Sequence, residues 1–328
     1  MKKIVVIGGG TGTTAVLSGL KQFEEFDLSV IVSMTDDGGS NAVIRDQFGL
    51  LPLSDLRKSI IALSDADQKL LRDIFTYRFD KGEGLSGHTL GNLIMMGLSS
   101  LTGSEVGAVE AVSQLFGIKG KVIPVTTEKT TLVATYDDGN TVIGEHIIDE
   151  PIKDSDRKII SLSLLPEVEA NKEAIDAILH ADVIIAGPGD LYTSTIANII
   201  IGNISDAISK SPASFIFINN LMTKKGQTHW MTDIDLIKEI SKYSKRKPDI
   251  TLMHNGVFPE GVVEYYEKKN EYPIKESENL DGYIVLKENL VSEEIIEKQS
   301  GDDLVRSLIR HDAKKLGDIL YKIIYQQL

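Results

Sequence analysis

A glycine-rich stretch follows the first apolar run of the chain. Residues 8 to 12 read Gly-Gly-Gly-Thr-Gly, and Gly10 to Ala15 fits the G-x-G-x-x-A pattern of dinucleotide-binding turns. Glycines lack side chains, so an anion can reach the backbone amides of a helix that we expect from Ala15 to Phe23. A tight strand-to-helix turn also needs glycine without binding anything, so both interpretations stay open. No Gly-Lys-Ser/Thr sequence follows, which argues against a P-loop.

An acidic loop ends the second apolar run, with the sequence Thr35-Asp36-Asp37-Gly38-Gly39-Ser40. Asp36 comes 24 residues after Gly12, close to the spacing at which a carboxylate meets a ribose hydroxyl. Asp36 and Asp37 also offer oxygen ligands that suit Mg²⁺ beside a diphosphate, so magnesium is a possible cofactor. The alternative is an ordinary solvated turn.

Three later apolar runs end in similar polar loops. These are Gly187-Pro188-Gly189-Asp190-Leu191-Tyr192-Thr193-Ser194, Asn219-Asn220-Leu221-Met222-Thr223 and His254-Asn255-Gly256. Thr193 or Ser194 could cap the following helix, or the free amides there could hold an anion. If all five runs are strands of one parallel sheet, their polar ends meet at one edge, where open α/β folds place a ligand crevice.

His88 and Asn92 lie four residues apart in the stretch Gly87 to Leu93, on one face if that stretch is helical. His88 is a candidate acid or base, a phosphate donor or a cap. The spacing of His88, His254 and His311 matches no metal-ligand motif, so we assign no firm metal site.

Apolar runs and helical patterns alternate along most of the sequence, which predicts a mainly parallel sheet with helices on both faces. The predicted strands are Lys3 to Ile7, Leu28 to Met34, Lys121 to Thr126, Asp182 to Ala186, Ala213 to Asn219 and Ile250 to Met253. This Rossmann-like α/β fold is expected to form a single nucleotide-binding domain over residues 1–328.

One region departs from this alternation. Thr131 to Tyr136 and Thr141 to Ile148 flank a turn-forming Asp-Asp-Gly-Asn sequence, which predicts an antiparallel hairpin. Lys158 to Leu164 could add a strand, so we expect a small antiparallel extension at about 119–165. Apolar residues at helical spacing between Asp302 and Leu328 predict a core-facing helix with a break near His311.

Composition narrows the possible partners. The formal net charge is −13, which argues against nucleic acid as a partner. Cysteine is absent, and no apolar run approaches the length of a membrane span. We therefore expect a cytoplasmic protein without membrane insertion, and a homodimer because two-fold dimers are the commonest assemblies.

The motifs together resemble a known family. Gly8 to Gly12, Thr35 to Ser40, Leu50 to Arg57, Gly87 to Leu93, Gly187 to Ser194, Asn220 to Thr223 and Arg310-His311-Asp312 are similar in order and spacing to the bacterial gluconeogenesis-factor proteins. This YvcK-like family belongs to the superfamily that includes 2-phospho-L-lactate transferase. The similarity spans nearly the whole chain.

The resemblance implies binding of a uridine-diphosphate sugar such as UDP-N-acetylglucosamine. It also implies a regulatory role in carbon metabolism and cell shape during growth on gluconeogenic carbon, without firm catalysis. In the transferase branch, the same crevice holds a deazaflavin and moves a phospholactyl group onto it from a nucleotide diphosphate donor, with Mg²⁺.

The resemblance also implies a set of ligand-binding residues at matching positions. These are Gly9, Gly10, Thr11, Gly12, Asp36, Asp37, Gly39, Ser40, Asn92, Gly187, Gly189, Tyr192, Thr193, Ser194, Asn220, Tyr266 and Arg310. Tyr265 adjoins Tyr266 and is the alternative for that position.

This sequence departs from the family pattern at several positions. One family arginine is replaced by Val43, while Arg45 is kept, and an arginine is the usual bidentate partner of phosphate. Asp190 replaces a serine, and Lys224-Lys225-Gly226-Gln227 replaces Gln-Pro-Gly-Glu. Lys224 or Lys225 is a candidate to restore the missing positive charge.

Two alternatives to the regulatory protein follow from these observations. The first is a transferase of the phospholactate type with Mg²⁺ held by Asp36 or Asp37. The second is an NAD-dependent oxidoreductase, suggested by Gly10 to Ala15 and Asp36 alone. The oxidoreductase needs a proton-transfer residue beside the nicotinamide, and no candidate for it stands out.

Overall fold

The structure is a computed structural model that describes residues 1–38, 52–65, 68–150, 156–292 and 308–326. Its strands are β1 (Lys2–Ile7), β2 (Phe26–Val32), β3 (Lys121–Pro124), β4 (Thr131–Tyr136), β5 (Thr141–Ile143), β6 (Ile159–Leu165), β7 (Val183–Ala186), β8 (Ser214–Ile218), β9 (Ile250–His254) and β10 (Val285–Glu288). Every strand predicted from the sequence is present, with shifts of one or a few residues at the ends.

The helices alternate with these strands. They are α1 (Gly10–Leu20), α2 (Ser54–Leu63), α3 (Gln68–Thr76), α4 (Leu90–Thr102), α5 (Glu105–Leu115), α6 (Glu145–Asp149), α7 (Lys172–Leu179), α8 (Ala197–Ile199), α9 (Ile204–Lys210), α10 (Asp233–Ser244), α11 (Val262–Glu267) and α12 (Ala313–Gln326). A π-helical turn at Leu191–Ile196 directly precedes α8. None of the helices in the described part of the chain has the length and apolar character needed to cross a bilayer.

Seven strands form one parallel sheet in the order β10-β9-β8-β7-β1-β2-β3. The chain moves outward from β1 to β3 in one direction and from β7 to β10 in the other. Because such crossovers are right-handed, the helices after β1 and after β7 cover opposite faces of the sheet. This is the Rossmann-like α/β fold predicted from the sequence, with a reversal of direction between β1 and β7.

The centre of the sheet holds the core. All four residues of β7 are buried, and so are the last four of β1, as expected for parallel strands covered on both faces. Ile7, the last residue of β1, pairs with Ile31 on one side and Ala186 on the other. The loops that follow β1, β2 and β7 therefore leave the sheet side by side.

The antiparallel extension is confirmed, and it ends at Leu165 as expected, but its predicted start near residue 119 was wrong. β4, β5 and β6 form a three-stranded sheet that begins at Thr131, whereas β3 pairs in parallel with β2 and belongs to the main sheet. The strand predicted to reach Ile148 ends at Ile143. Gly144 has φ +112°, a conformation that turns the chain, and α6 follows it.

Two further differences have physical reasons. α1 begins at Gly10 and not at Ala15, because Gly9 is fully extended and Gly10 adopts φ +70°, which completes the turn within two residues. β10 was missed because it is an edge strand with a half-exposed Val285 and Leu286 and an exposed Lys287 and Glu288.

The predicted C-terminal helix is present as α12, with Leu316, Leu320, Ile323 and Ile324 buried. Residues 302 to 307 of the predicted range lie outside the described residues. The isolated pairing of His311 with Val291 precedes the helix, in agreement with the break predicted near His311.

Candidate functional site

The reversal point between β1 and β7 holds the glycine-rich turn. α1 starts there, no described side chain caps its first amides, and its first turn contains no acidic residue. Thr13 instead donates its hydroxyl to the Gly9 carbonyl at 3.0 Å. The amides at the start of α1 are thus available to an anion, and the helix dipole favours negative charge there.

The loop after β7 packs directly against this turn. A Cβ atom on Gly12 would lie 2.2 Å from the Pro188 carbonyl oxygen, and one on Gly189 would lie 3.2 Å from the Gly9 carbonyl oxygen. Asn220, just after β8, donates its side-chain amide to the Gly189 carbonyl at 2.7 Å. The loops after β1, β7 and β8 therefore meet, as the sequence predicted.

Asp36 connects the end of β2 to α2. Its carboxylate accepts from Ser54 Oγ at 2.8 Å and from the Gly38 amide at 3.0 Å. Burial raises the pKa of Asp36, and the nearby Asp55 raises it further. Asp55 also comes close to the glycine turn, since a Cβ on Gly9 would lie 2.2 Å from its Oδ2.

The extension covers the acidic loop through α6. Asp37 Oδ1 accepts from the His146 amide at 2.9 Å, which fixes the start of α6 beside the end of β2. Burial raises the pKa of Glu145 well above its ordinary value, with further contributions from Asp149 and Asp36. Its surroundings therefore favour the neutral form of this carboxyl group.

Lys224 joins α6 to the loop after β7. Its Nζ lies 2.6 Å from Asp149 Oδ1 and 2.7 Å from Asp190 Oδ2. Burial alone would lower the pKa of Lys224, but the two carboxylates outweigh it and raise that pKa. Thr193 donates its hydroxyl to Asp149 Oδ1 at 2.8 Å, so a predicted site residue belongs to the same cluster.

Asn92 lies at the first turn of α4 and is 2% exposed. Its Oδ1 accepts from Arg57 Nη1 at 3.0 Å, and the same nitrogen donates to Thr89 Oγ1 at 2.8 Å. Burial lowers the pKa of Arg57 to about 10, and the charge of Arg78 acts in the same direction. His88 precedes α4, so the expected helical face shared by His88 and Asn92 does not form.

Tyr192 is buried with 0% exposure, and its hydroxyl donates to Glu239 Oε1 on α10 at 3.2 Å. Burial raises its pKa, and the neighbouring Glu239 raises it further. The described hydrogen bond of the Tyr192 hydroxyl therefore joins the loop after β7 to α10. Neither Thr193 nor Ser194 is the N-cap here, because Asp190 precedes the π-helical turn, so the capping alternative is wrong.

Tyr266 lies on α11, and Arg310 lies in a segment that contacts the end of β8 through His311. The Ile309 amide donates to Tyr266 Oη at 3.4 Å, and the Ser292 amide donates to the Arg310 carbonyl at 2.9 Å. His311 hydrogen-bonds the backbone of Asn219, and burial, followed by the charge of His254, lowers its pKa to about 4. This neutral imidazole holds the segment that carries Arg310 against the sheet.

The predicted residues thus fall into three groups. Gly9, Gly10, Thr11, Gly12, Gly187, Gly189, Ser194 and Asn220 belong to the meeting loops, Asp36, Asp37 and Thr193 belong to the acidic side, and Asn92, Tyr192, Tyr266 and Arg310 have their described hydrogen bonds outside these two groups. Gly39 and Ser40 lie outside the described residues, as do Val43 and Arg45.

Sequence reasoning did not select several residues of the acidic side as ligand-binding candidates. Asp55 and Arg57 belong to a motif that carried the family resemblance, which was the available signal. Glu145 and Asp149 had been placed at the end of a strand or beyond it, where no pattern indicated that α6 would turn them towards Lys224.

Comparisons with known proteins identify the family of this chain. The family profile described as 2-phospho-L-lactate transferase CofD matches residues 4–324. A putative gluconeogenesis factor from Thermotoga maritima is 37% identical over 98% of this chain and 99% of its own length. The gluconeogenesis factor of Bacillus subtilis is 33% identical over 98% of both chains.

A solved structure has the same fold. The crystal structure of a member of the UPF0052 family from Bacillus halodurans superposes with a TM-score of 0.87 at 32% identity, covering 98% of this chain and 100% of that one. The chain therefore belongs to the gluconeogenesis-factor proteins, within the family of the 2-phospho-L-lactate transferase CofD.

Proposed function

We propose that this protein binds a nucleotide sugar, with the diphosphate at the start of α1. The observation that carries the proposal is the meeting of three strand-end loops around uncapped helix amides, at the reversal point of the sheet. Backbone amides can hold a diphosphate even in a chain whose net charge is −13, because they do not require a broad basic surface.

The ligand class and the role are inferred from the family. A uridine-diphosphate sugar such as UDP-N-acetylglucosamine is the proposed ligand, and regulation of carbon metabolism and cell shape is the proposed role. The relatives named gluconeogenesis factor support a function in gluconeogenic growth. The proposal places the nucleotide along the ends of β8 and β9, within reach of the segment that carries Arg310.

A second function is favoured by the family profile, which describes a 2-phospho-L-lactate transferase. In that reaction, an acceptor hydroxyl on a deazaflavin attacks the phosphorus that carries the phospholactyl group. A new P–O ester forms, the bond to the nucleoside monophosphate breaks, and the hydroxyl proton passes to a base. Asp36, with its raised pKa, is the candidate base beside the diphosphate position.

Isothermal titration calorimetry separates the two functions. We expect the protein to bind UDP-N-acetylglucosamine with one site per chain, and to bind UMP more weakly because UMP lacks the second phosphate. If no uridine-diphosphate sugar gives a heat of binding at millimolar concentration, the regulatory function is contradicted. A separate assay supplies the phospholactyl nucleotide diphosphate donor and the deazaflavin acceptor together, and release of nucleoside monophosphate from that donor would instead establish the transferase.

A further inference from the structure

Lys224 occupies a setting built from oxygen atoms. Asp149 Oδ1 and Asp190 Oδ2 lie 2.6 and 2.7 Å from its Nζ. Asp149 also accepts from Thr193 Oγ1 at 2.8 Å and from Gln227 Nε2 at 3.3 Å. Gln227 is 0% exposed, and its Oε1 is buried with no hydrogen-bond partner among the described residues.

Carboxylate, hydroxyl and amide oxygens are the ligands that Mg²⁺ and Ca²⁺ take in proteins. Among the residues that the structure describes, no three histidine, cysteine or acidic side chains are grouped so that they could hold a metal ion, so a cation here would also need the oxygens of Thr193 and Gln227. The positive charge between Asp149 and Asp190 is supplied by the side chain of Lys224. An ammonium group thus lies where these donors would otherwise favour a divalent cation.

This cluster borders the diphosphate position. Asp190 directly follows Gly189, whose carbonyl is held by Asn220 and whose Cα faces the glycine turn. The side chains of Lys224 and Asp190 are 24% and 39% exposed, so this ion pair is partly open to solvent. Lys224 is therefore placed to contact both the carboxylates and an incoming anion.

The surrounding charge favours a further cation. Asp149, Asp36 and Asp37 all act electrostatically on Glu145, and each ionised carboxylate opposes a diphosphate. Lys58 is already paired with Asp55, and Arg57 already donates to Asn92 and Thr89. Backbone amides supply partial charges only. A full positive charge near the phosphates lowers the cost of bringing two or more negative charges into this crevice.

We propose that Lys224 is a tethered counter-cation that takes the place of a divalent metal, so that the crevice binds a diphosphate ligand without Mg²⁺. The role of Lys224 in binding a diphosphate rests on the proposed function, whereas the prediction that a cation binds when Lys224 is removed does not. Removing the ammonium exposes the oxygen cluster, which then binds the divalent cation that Lys224 replaces.

The test compares wild type with Lys224→Met by titration with Mn²⁺ alone, followed by electron paramagnetic resonance. We expect the variant to gain one Mn²⁺ site per chain that wild type lacks. Lys224→Arg keeps the charge and should gain no site. Lys121→Met is a matched control. Lys121 lies on β3 and forms an exposed ion pair with Glu173 on α7, away from the crevice.

The nucleotide arm uses UDP-N-acetylglucosamine in EDTA and in millimolar Mg²⁺. Wild-type affinity should be the same in both. Lys224→Met should bind about tenfold more weakly in EDTA and recover in Mg²⁺. The inference is overturned if Lys224→Met gains no Mn²⁺ site, if its affinity in EDTA equals that of wild type, or if wild type itself requires Mg²⁺. If wild type binds no nucleotide sugar, the proposed function fails while the Mn²⁺ titration still decides the cation site.

Discussion

Two sides of the crevice are built on different physical principles. One side, the glycine floor, consists of residues 8 to 12 and 187 to 189, where backbone approaches backbone. The other, the charged wall, consists of Asp36, Asp37, Glu145, Asp149, Asp190 and Lys224, where side chains from separate elements meet. Steric fit determines which residues the glycine floor accepts, and the balance of charges determines which residues the charged wall accepts.

The difference shows which substitutions each side tolerates. At Gly12 and Gly187 of the glycine floor, a single added carbon would lie 2.2 and 2.8 Å from a carbonyl oxygen, so the fold there depends on the missing side chains. On the charged wall, carboxylates with raised pKa values are held close together, at a cost to stability. Substitutions should therefore destabilise the floor and, at chosen positions, stabilise the wall.

The largest effect is expected for Gly12→Ala on the floor. Its Cβ would lie 2.2 Å from the Pro188 carbonyl oxygen, so either α1 or the loop after β7 must move. We expect a loss of about 3 kcal/mol in the free energy of unfolding, measured by urea denaturation.

Gly97→Ala is the matched control, because its Cβ meets nothing within 4 Å and alanine favours a helix. This control should be neutral or more stable than wild type. Equal stability of Gly12→Ala and Gly97→Ala would show that the two loops do not pack as described.

A smaller effect, on ligand affinity and not on stability, is expected for Thr11→Glu. Thr11 is exposed at the start of α1, where a carboxylate favours the helix dipole but repels a diphosphate. We expect stability to be kept and affinity for UDP-N-acetylglucosamine to fall by about 2 kcal/mol, or roughly thirtyfold, in calorimetry.

Thr11→Gln has nearly the same shape without the charge and should bind within about threefold of wild type. This pair avoids a weakness of substitutions at Gly10, whose φ of +70° strains any side chain. If the glutamate and glutamine variants bind equally, the phosphates do not lie at the start of α1.

The floor could be predicted from the sequence because its signals are local. Glycines at fixed offsets after an apolar run indicate a strand, a turn and a helix start, and parallel strands bring such turns to one edge. The same reasoning predicted every strand of the parallel sheet except β10, and it predicted the antiparallel extension. It misplaced the start of α1, because a glycine at φ +70° begins the helix five residues earlier than the apolar pattern does.

The wall could not be predicted in the same way. Glu145 and Asp149 come from α6, which replaced an expected strand after Gly144, and Lys224 comes from a loop 75 residues beyond Asp149. Such pairings depend on tertiary contacts between distant parts of the chain. The contact of the Tyr192 hydroxyl with Glu239 on α10 is a further example, because no local sequence pattern predicts it.

The smallest effect is expected for Glu145→Gln on the wall, with the opposite sign to Gly12→Ala. The pKa of Glu145 is raised in the folded state by burial and by Asp149 and Asp36, so its ionised form destabilises the fold above that pKa. Glutamine removes this charge, and we expect a gain of about 1 kcal/mol in the free energy of unfolding at pH 8. The gain should shrink as the pH falls through the folded pKa and vanish near the unfolded pKa, where both states bind the proton.

Chemical denaturation at pH 8, 6 and 4.5 measures this trend, with the exposed Glu110→Gln as the control. A gain that does not depend on pH would mean that Glu145 acts through packing, and the charged wall would then lack the electrostatic cost that distinguishes it from the glycine floor.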